Sequence, residues 1–493
     1  MKVVLINPNI CMQKGDLFGT GIPYMPISLA FVAASLRKQG HVPVVIDAFG
    51  EAPFKARMKE HLMVQGLSPE EIVARIPSDA DVVCVYAAKV VADIVTKDIV
   101  AAARKAIKVP IVMIENTQSV VAYSLRLAGE AFLDLGADYV LIGEPEQRLQ
   151  RLLACIAARR QPDFDGIMFK RNGKLFTVDK KEFILDLDSL PFPAWELFPL
   201  KNYWKLGYAH GPMQGNYLPL LTSRGCPFNC GFCIIPEMNH RRWRARSAKN
   251  VVDEMEHWIR TLGVREFHFE DLNPTVRKER IVEMCNEIIR RGLRVSWKLV
   301  AGTKIETFDK ATADAMAAAG CIYVSISPES GSPHVMQLMQ KPFDHAYGLE
   351  MIRHLHSRRI TTQACFVLGY PGETDADLAL TRSYMRKLVK AGCDEVSMFI
   401  MTPIPGSRQF GNVTGFSNLS QLTFSPCWRQ DYKKLNRFRT RSYLEFYLLK
   451  LFYHPITLAR QPFNVLLRDF RTKTEMTAFR TLRLWSIGRH AKR

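Results

Sequence analysis

The first 150 residues alternate short apolar runs with longer amphipathic stretches. The chain opens with KVVLINPN and MPISLAFVAASLRKQGHVPVVIDA, and the runs ADVVCVYAA and KVPIVMIEN follow. Consecutive apolar residues are typical of strands that are buried on both faces, and the stretches between them have the length of helices. The pattern predicts an open parallel sheet with helices on both faces, a Rossmann-like domain over residues 1–150. No G-x-G-x-x-G follows the first strand, so a dinucleotide is not indicated.

Residues 151–214 break this alternation. The segment PDFDGIMFKRNGKLFTVDKKEF predicts a β-hairpin, and LDSLPFPAWELFPL that follows is rich in proline. We interpret residues 151–214 as a linker with a β-hairpin, for which the role of a spacer is sufficient.

Residues 215–412 return to strand and helix in turn. β-rich runs such as EFHFED, YVSISPE and TQACFVLG alternate with helical stretches such as AKNVVDEMEHWIRTLG. This repeat predicts parallel strands with crossover helices, an α/β fold in the form of a partial (β/α)6 TIM-type barrel. In such barrels the reaction takes place beyond the carboxyl ends of the strands. The positions that fall there are a loop with three cysteines, Glu270, Asp271, Glu329 and the loop 369–373.

The C-terminal region, residues 413–493, is basic and predicted to be mainly helical. Residues 421–493 hold 16 Lys and Arg against 4 Asp and Glu, a net charge of +12 within the chain's +19. Aromatic and aliphatic residues are interleaved with this charge, as in SYLEFYLLKLFYHPITLARQPFNVLLRDF. Such amphipathic helices suit an anionic membrane surface, and a helical cap on the barrel is the next interpretation. Nucleic acid is the least favoured partner, because the apolar residues are dense and bulky for a groove binder.

Composition narrows the class of protein. With 47% hydrophobic and 23% charged residues the chain is predicted to fold as two or three domains. No signal peptide precedes the first apolar run, and no stretch is apolar enough to span a membrane. We therefore expect a cytoplasmic protein, with the inner membrane face as a candidate peripheral location. Eight of the 11 cysteines are scattered singly, and we interpret them as small buried hydrophobic residues.

The other three cysteines, Cys226, Cys230 and Cys233, lie within eight residues in the spacing C-x3-C-x2-C. A structural zinc site needs four ligands, and no second C-x2-C or H-x3-H pair lies nearby. A redox dithiol needs only C-x-x-C. Three close thiolates instead favour a four-iron cluster, in which the fourth iron is open to a ligand that is not protein.

The motif and its surroundings resemble radical S-adenosylmethionine (SAM) enzymes, in the branch that is associated with cobalamin. An aromatic residue, Phe232, precedes the last cysteine, and later segments match in order over about 200 residues: REFHFEDLNPT, YVSISPESGSPHVMQLMQK, FVLGYPGET and SMFIMTPIPGS. The resemblance implies that Cys226, Cys230 and Cys233 bind a [4Fe-4S] cluster whose fourth iron is chelated by SAM.

The resemblance also implies further SAM-binding residues. Glu329 and Ser330 match a segment beside the methionine and ribose of SAM, although solvated residues at a strand end would look the same. Gly369 and Glu373 belong to a loop that approaches the adenosine, which a plain turn explains nearly as well. Phe232 and Asp271 complete the predicted cofactor-binding set. Lys341 is a further, weaker candidate, and both Lys341 and Asp271 could be ordinary exposed charged residues. No residue is predicted as a general acid or base.

Residues 1–150 resemble the cobalamin-binding domain of these enzymes, with MPISLAF in the first helix and GADYVLIGEPE near the end. Cobalamin is therefore the third expected cofactor. The segment lacks D-x-H-x-x-G, so a histidine ligand to cobalt is not expected. The Gly-Gly that usually follows the fourth strand is replaced by Glu115-Asn116-Thr117, whose larger side chains would crowd a cofactor.

Taken with the resemblance, the sequence predicts an enzyme that cleaves SAM reductively to a 5′-deoxyadenosyl radical and methylates an unactivated carbon with cobalamin. The expected substrate is a hydrophobic, lipid-like or natural-product small molecule, and the expected electron donor is an external flavodoxin or ferredoxin. A radical cyclase, oxidase or rearrangement enzyme of tetrapyrrole or hopanoid type is the alternative. A tRNA methylthiotransferase is more remote, because its N-terminal domain carries three further cluster cysteines where this one has Cys11 and Cys84. A metal-binding regulator that contacts DNA would instead hold zinc and leave SAM intact.

Overall fold

The N-terminal domain is built on a seven-stranded sheet in the computed structural model, which describes residues 1–14, 16 and 19–490. Its strands are β1 (Lys2–Asn7), β2 (Ile10–Gln13), β3 (Val42–Asp47), β4 (Ala56–Lys59), β5 (Leu62–Gln65), β6 (Val82–Ala87), β7 (Ile111–Glu115), β8 (Tyr139–Leu141), β9 (Ile167–Arg171) and β10 (Lys174–Val178). Its helices are α1 (Ile27–Lys38), α2 (Ala48–Glu51), α3 (Pro69–Val73), α4 (Asp93–Ala106), α5 (Leu125–Asp134) and α6 (Pro145–Ala157).

The strand order β10-β9-β8-β7-β6-β1-β3 is that of a doubly wound sheet with an added edge. The five strands from β3 to β8 pair in parallel, and every residue of β6 and β7 is buried, as the uninterrupted apolar runs predict. The predicted Rossmann-like arrangement is confirmed. A small antiparallel sheet, β2-β5-β4, which the sequence pattern did not reveal, covers the region after β1.

The hairpin predicted within residues 162–183 forms, but it is not part of a spacer. Strand β9 pairs antiparallel with β8, so β9 and β10 extend the N-terminal sheet at its edge. Helix α6 runs from Pro145 to Ala157 and so crosses the expected boundary at residue 150. The N-terminal unit therefore extends to about residue 178, because hydrogen bonding along an open sheet edge adds the hairpin to it.

A short helix, α7 (Leu200–Leu206), leads into the barrel. The barrel strands are β11 (Tyr217–Leu220), β14 (Glu266–Phe269), β15 (Ser296–Thr303), β16 (Cys321–Glu329), β17 (Thr361–Leu368) and β18 (Glu395–Ile400), with a two-stranded ribbon of β12 (Ser223–Arg224) and β13 (Arg244–Ala245) after the first. The helices are α8 (Ile235–Asn239), α9 (Ala248–Leu262), α10 (Lys278–Arg290), α11 (Lys310–Ala318), α12 (Pro333–Leu338), α13 (His345–Ser357) and α14 (Asp375–Lys390).

The six barrel strands pair in parallel in the order of the chain, which confirms the partial (β/α)6 barrel. Helix α9 illustrates how the sequence forms its outer layer. Ser247 accepts a hydrogen bond from the Asn250 N–H at 3.1 Å and so caps the helix, and Gly263, at φ +67°, ends it in the left-handed conformation. Val251, Met255 and neighbours at helical spacing face the strands and are buried.

Three further helices follow the barrel: α15 (Tyr432–Tyr453), α16 (Pro455–Leu467) and α17 (Lys473–His490). The predicted helical C-terminal region is thus present, except that residues 491–493 lie outside the described residues. Helix α17 returns to the barrel, where the Glu395 carboxylate accepts hydrogen bonds from the backbone N–H groups of Lys473 and Thr474 at 3.1 and 3.0 Å. Within the described chain, we find no helix long and apolar enough to cross a bilayer.

Buried charges join the N-terminal domain to the barrel. Arg224, on the ribbon strand β12, donates to Glu146 at 2.6 Å, and Arg244, on β13, donates to Glu144 at 2.8 Å. All four side chains are at most 8% exposed. Burial raises the pKa of Glu144, but Arg224 and Arg244 outweigh burial and hold that pKa below its usual value. The ribbon is thereby fixed to the start of α6.

We expect Glu144→Ala to lower the free energy of unfolding by about 3–5 kcal/mol, because the variant leaves the buried Arg244 guanidinium without its carboxylate. The matched control is Asp179→Ala, which breaks the exposed pair between Arg126 and Asp179 and should cost about 0–1 kcal/mol. The measurement is the shift of the urea midpoint, followed by circular dichroism. Equal shifts in the two variants would show that the buried contact does not hold the domains together.

Candidate active site

One cavity of about 710 Å³ lies between the carboxyl ends of the two parallel sheets. Its walls come from the ends of β1, β6 and β7 in the N-terminal domain, from the barrel mouth, and from helices α15 and α17. Carboxyl ends of parallel strands are where α/β folds bind ligands, and here two such edges share one space.

The three clustered cysteines line this cavity together. Cys226, Cys230 and Cys233 are half-buried and carry free thiols. The loop begins at Gly225, whose φ of +78° and close approach to the Arg242 carbonyl, 2.0 Å from an added Cβ, require glycine. The Ile235 N–H lies 3.4 Å from the Cys233 sulfur and donates to it.

The loop suits a cluster better than a single ion. Among the described residues no three His, Cys, Asp or Glu side chains converge on one metal position. A cubane has no such requirement, since each of its thiolate ligands binds a different iron. Burial raises the pKa of Cys226 to about 11, so the thiolate form at neutral pH calls for a bound cation. The donor set therefore fits an iron–sulfur cluster.

The cysteine loop packs directly on later barrel loops. The Gly231 N–H donates to the Met339 carbonyl at 2.8 Å, and a Cβ at Gly231 would lie 2.8 Å from the Tyr370 hydroxyl. Phe232 lines the cavity and packs against an apolar cluster that includes Met339 and Tyr370. Phe232 thus fixes the last cysteine against the loop that follows β17.

Glu329 ends β16 and faces the same cavity. Its backbone has φ +57°, a left-handed conformation that is uncommon for glutamate, and its carboxylate accepts a hydrogen bond from the Lys341 ammonium. Both side chains are less than 10% exposed and line the cavity, as Cys226 and Cys230 do. A buried ion pair in a strained backbone position beside the thiols has the features of a ligand-binding group.

Four of the six predicted cofactor-binding residues do not line the cavity, and two of them, Asp271 and Ser330, are bonded within the protein. The Asp271 carboxylate accepts hydrogen bonds from the Thr222 N–H, the Thr222 hydroxyl at 2.8 Å and the Ser223 hydroxyl at 2.6 Å. Ser330 is fully buried, where its hydroxyl lies 3.0 Å from that of Thr381. Both residues hold the backbone of strands and loops that bear the site.

Gly369 and Glu373 form a turn beside the cavity and not its wall. Gly369 has φ +74°, and its N–H donates to the Glu373 carboxylate. Arg429 holds the same turn by donating to the Gly369 carbonyl at 3.0 Å. Burial raises the pKa of Glu373 to about 7, with the Gly369 N–H as the main opposing influence.

Glu270, which the sequence placed at the barrel mouth, belongs to a polar cluster on the opposite wall whose other members the sequence analysis missed. His210 lies 2.7 Å from the Glu270 carboxylate and stacks on Tyr24, at 4.3 Å between ring centroids. The Lys89 ammonium lies 3.6 Å above the Tyr24 ring. Burial lowers the pKa of His210 to about 4 and that of Lys89 to about 7. The members come from four distant parts of the chain, and no local motif marks His210, Tyr24 or Lys89.

The segment Glu115-Asn116-Thr117 does not crowd the cavity as the sequence suggested. The Glu115 carboxylate turns into the domain, where it accepts hydrogen bonds from the Leu125 N–H at 2.8 Å and the Gly143 N–H at 2.7 Å. Asn116 donates to the Ala88 carbonyl at 2.9 Å and lines the cavity with Gln118, whereas Glu115 and Thr117 do not. The wall at the end of β7 therefore stays open enough to take a ligand.

We expect the Glu373 carboxyl to make stability depend on pH. Its pKa lies at about 7 in the fold against an ordinary 4.5, so its contribution is complete below about pH 4.5 and is lost as pH rises through about 7. The thermal midpoint of the wild type should fall more between about pH 5 and about pH 8 than that of Glu373→Gln, which cannot ionise. Parallel pH profiles for the two proteins would mean that Glu373 does not titrate in this range.

Comparisons with known proteins agree with the iron–sulfur cluster that the cysteine loop fits. Residues 220–385 match the radical SAM superfamily. An uncharacterized methyltransferase of Pyrococcus horikoshii is 27% identical over 325 residues, which cover 63% of this chain and 67% of that one. The anaerobic magnesium-protoporphyrin IX monomethyl ester cyclase of Cereibacter sphaeroides is 25% identical over 390 residues, covering 77% and 59%.

Among solved structures, the fold is similar to that of the radical SAM methyltransferase TsrM from Kitasatospora setae with cobalamin and a [4Fe-4S] cluster bound. The TM-score is 0.64 at 18% identity, over 83% of this chain and 74% of that one. Residues 220–385 are thus a radical SAM domain with the three thiols at its mouth, and a [4Fe-4S] cluster and SAM are the cofactors that this superfamily implies.

Proposed function

We propose that the chain transfers a methyl group to an unactivated carbon of a hydrophobic small molecule, with SAM and cobalamin as cofactors. One observation carries the proposal: a single cavity joins the three cysteines of the radical SAM domain to the carboxyl edge of the N-terminal sheet. A radical SAM barrel that bound only its cluster and SAM would not need a second sheet edge at its cavity. A second cofactor that faces the first across a shared substrate space accounts for it.

Cys226, Cys230 and Cys233 would hold the cluster, and an external flavodoxin or ferredoxin would reduce it. When bound, these cofactors supply a 5′-deoxyadenosyl radical from SAM and a methyl group from cobalamin. Phe232 and the Glu329–Lys341 pair line the cavity beside the thiols, and we assign them to SAM. Ser330, Asp271, Gly369 and Glu373 would act on SAM through the backbone that they position.

Cobalamin would lie against the N-terminal wall. Asn116 and Gln118 line the cavity there, and the Glu115 side chain is directed away from it. The substitution of the usual Gly-Gly is thereby compatible with a cofactor at this edge. The similarity in fold to a structure with cobalamin bound supports the same position for the domain.

The lining of the cavity favours an amphiphilic substrate. Apolar side chains such as Val300, Phe399 and Met476 form most of its surface. The buried His210–Glu270 pair and Lys89 offer polar contacts at one side. Apolar walls with a few placed polar groups are typical of pockets that orient a largely hydrophobic ligand. We propose a lipid-like substrate and an enzyme that works at the cytoplasmic face of a membrane.

Radical ring closure without methyl transfer is the second candidate, because one relative is a cyclase of a magnesium porphyrin ester. The two reactions differ in what becomes of the SAM methyl group. A methyltransferase moves it to the product, whereas a cyclase that uses SAM only as a radical source leaves it in methionine.

The test is an anaerobic reaction of the reconstituted enzyme with SAM labelled in its methyl group and a detergent-solubilised bacterial lipid extract. We expect label in the lipid fraction together with 5′-deoxyadenosine. Cys226→Ala should abolish both, because a cluster ligand is lost, and Cys427→Ala, which removes an exposed cysteine far from the loop in sequence, should abolish neither. 5′-Deoxyadenosine formed without label in lipid would favour the cyclase, and label in added tRNA would overturn both assignments.

A further inference from the structure

We propose that helices α15 and α16, which we call the C-terminal hairpin (Tyr432–Leu467), dock on an anionic lipid bilayer and admit the substrate to the cavity from it. The docking itself is independent of the reaction. The admission of substrate rests on the proposed function, in which the substrate is lipid-like.

The hairpin exposes an unusual amount of apolar surface. Nine large hydrophobic side chains within 24 residues are between 47% and 80% exposed: Leu444, Leu448, Leu451, Phe452, Tyr453, Ile456, Phe463, Leu466 and Leu467. Single exposed hydrophobic residues need no explanation, but such a concentration marks an interaction surface.

Helix α16 is the most exposed part of the hairpin, because none of its residues is buried. Its sequence, PITLARQPFNVLL, is largely apolar, and only Arg460 is charged. Most helices in proteins owe their stability to the packing of an apolar face. The apolar side of α16 therefore needs a partner outside the described chain.

Charge identifies an anionic bilayer as that partner. Exposed basic residues accompany the apolar surface: Lys433, Lys434, Arg437, Arg441, Arg460 and Arg468. The C-terminal residues 421–493 carry a net charge of +12. A second copy of the chain would bring two such positive regions together, whereas anionic headgroups attract each nearby cation. Interfacial helices combine bulky apolar and basic residues in this way.

The apolar surface is continuous with the cavity. Leu444 is 62% exposed and also lines the cavity, next to Tyr443 and Tyr447 on the same helix. A lipid-like molecule that leaves the bilayer at Leu444 would pass along α15 without crossing water. The hairpin would thus couple membrane binding to access for the substrate.

The experiment is flotation of the reconstituted full-length protein with vesicles of phosphatidylcholine and phosphatidylglycerol, compared with vesicles of phosphatidylcholine alone. We expect binding to the anionic vesicles that weakens in high salt. The variant F463S/L466S/L467S should bind at least about tenfold more weakly, because three apolar side chains no longer leave water. The control L127S/L175S/L185S changes three exposed leucines elsewhere and should bind like the wild type.

SAM cleavage serves as the separate measure of the active site and should be the same in all three proteins. Absence of vesicle binding in a wild type that cleaves SAM would overturn the docking, whatever the reaction proves to be. A wild-type dimer that the hairpin variant converts to a monomer would also overturn it, in favour of a second copy. Docking that persists when no methyl transfer is found would support the hairpin and count only against the proposed function.

Discussion

The buried contact between α6 and the ribbon β12–β13 determines where the cysteine loop lies. Arg224 is two residues from Cys226, and it is tied to Glu146 by a short ion pair that solvent does not reach. Burying two charges costs free energy that only close geometry offsets, so such a contact has few alternative arrangements. It sets the loop opposite the carboxyl edge of the N-terminal sheet. The cavity follows from that placement, because each sheet then supplies one wall.

The C-terminal helices complete the enclosure. Helix α17 begins at a carboxylate of the barrel, Glu395, and places Lys473 and Met476 in the cavity wall. Helix α15 adds Tyr443 and Tyr447 to the wall of the same cavity. Of the interpretations open for this region, a cap on the barrel describes α17 and part of α15. It does not account for α16, in which no residue is buried by the described chain.

Features with a local cause could be predicted from the sequence. Buried parallel strands need unbroken apolar runs, and the order of strands and helices then gives both sheets. The three cysteines could also be recognised from the sequence, because one short loop presents all three thiols. The loop at Gly369 is also local, because its left-handed residue requires glycine.

The rest depends on contacts between distant parts of the chain. The hairpin β9–β10 looks like a spacer in sequence, and only its pairing with β8 makes it part of the sheet. His210, Tyr24 and Lys89 carry no motif and meet only when three segments converge. Asp271 and Ser330 occupy the expected positions, yet their side chains bond to neighbouring groups of the protein. Sequence places a residue at a strand end but does not say which way its side chain turns.

The central claim is that the N-terminal edge of the cavity holds cobalamin opposite the cluster. The most direct test is the cobalamin content of anaerobically reconstituted protein, from its absorption spectrum and from mass spectrometry after extraction. We predict one cobalamin per chain, retained in Cys226→Ala although that variant loses its cluster. Protein that holds the cluster and cleaves SAM but binds no cobalamin would contradict the account, and would leave the N-terminal wall to the substrate or a partner.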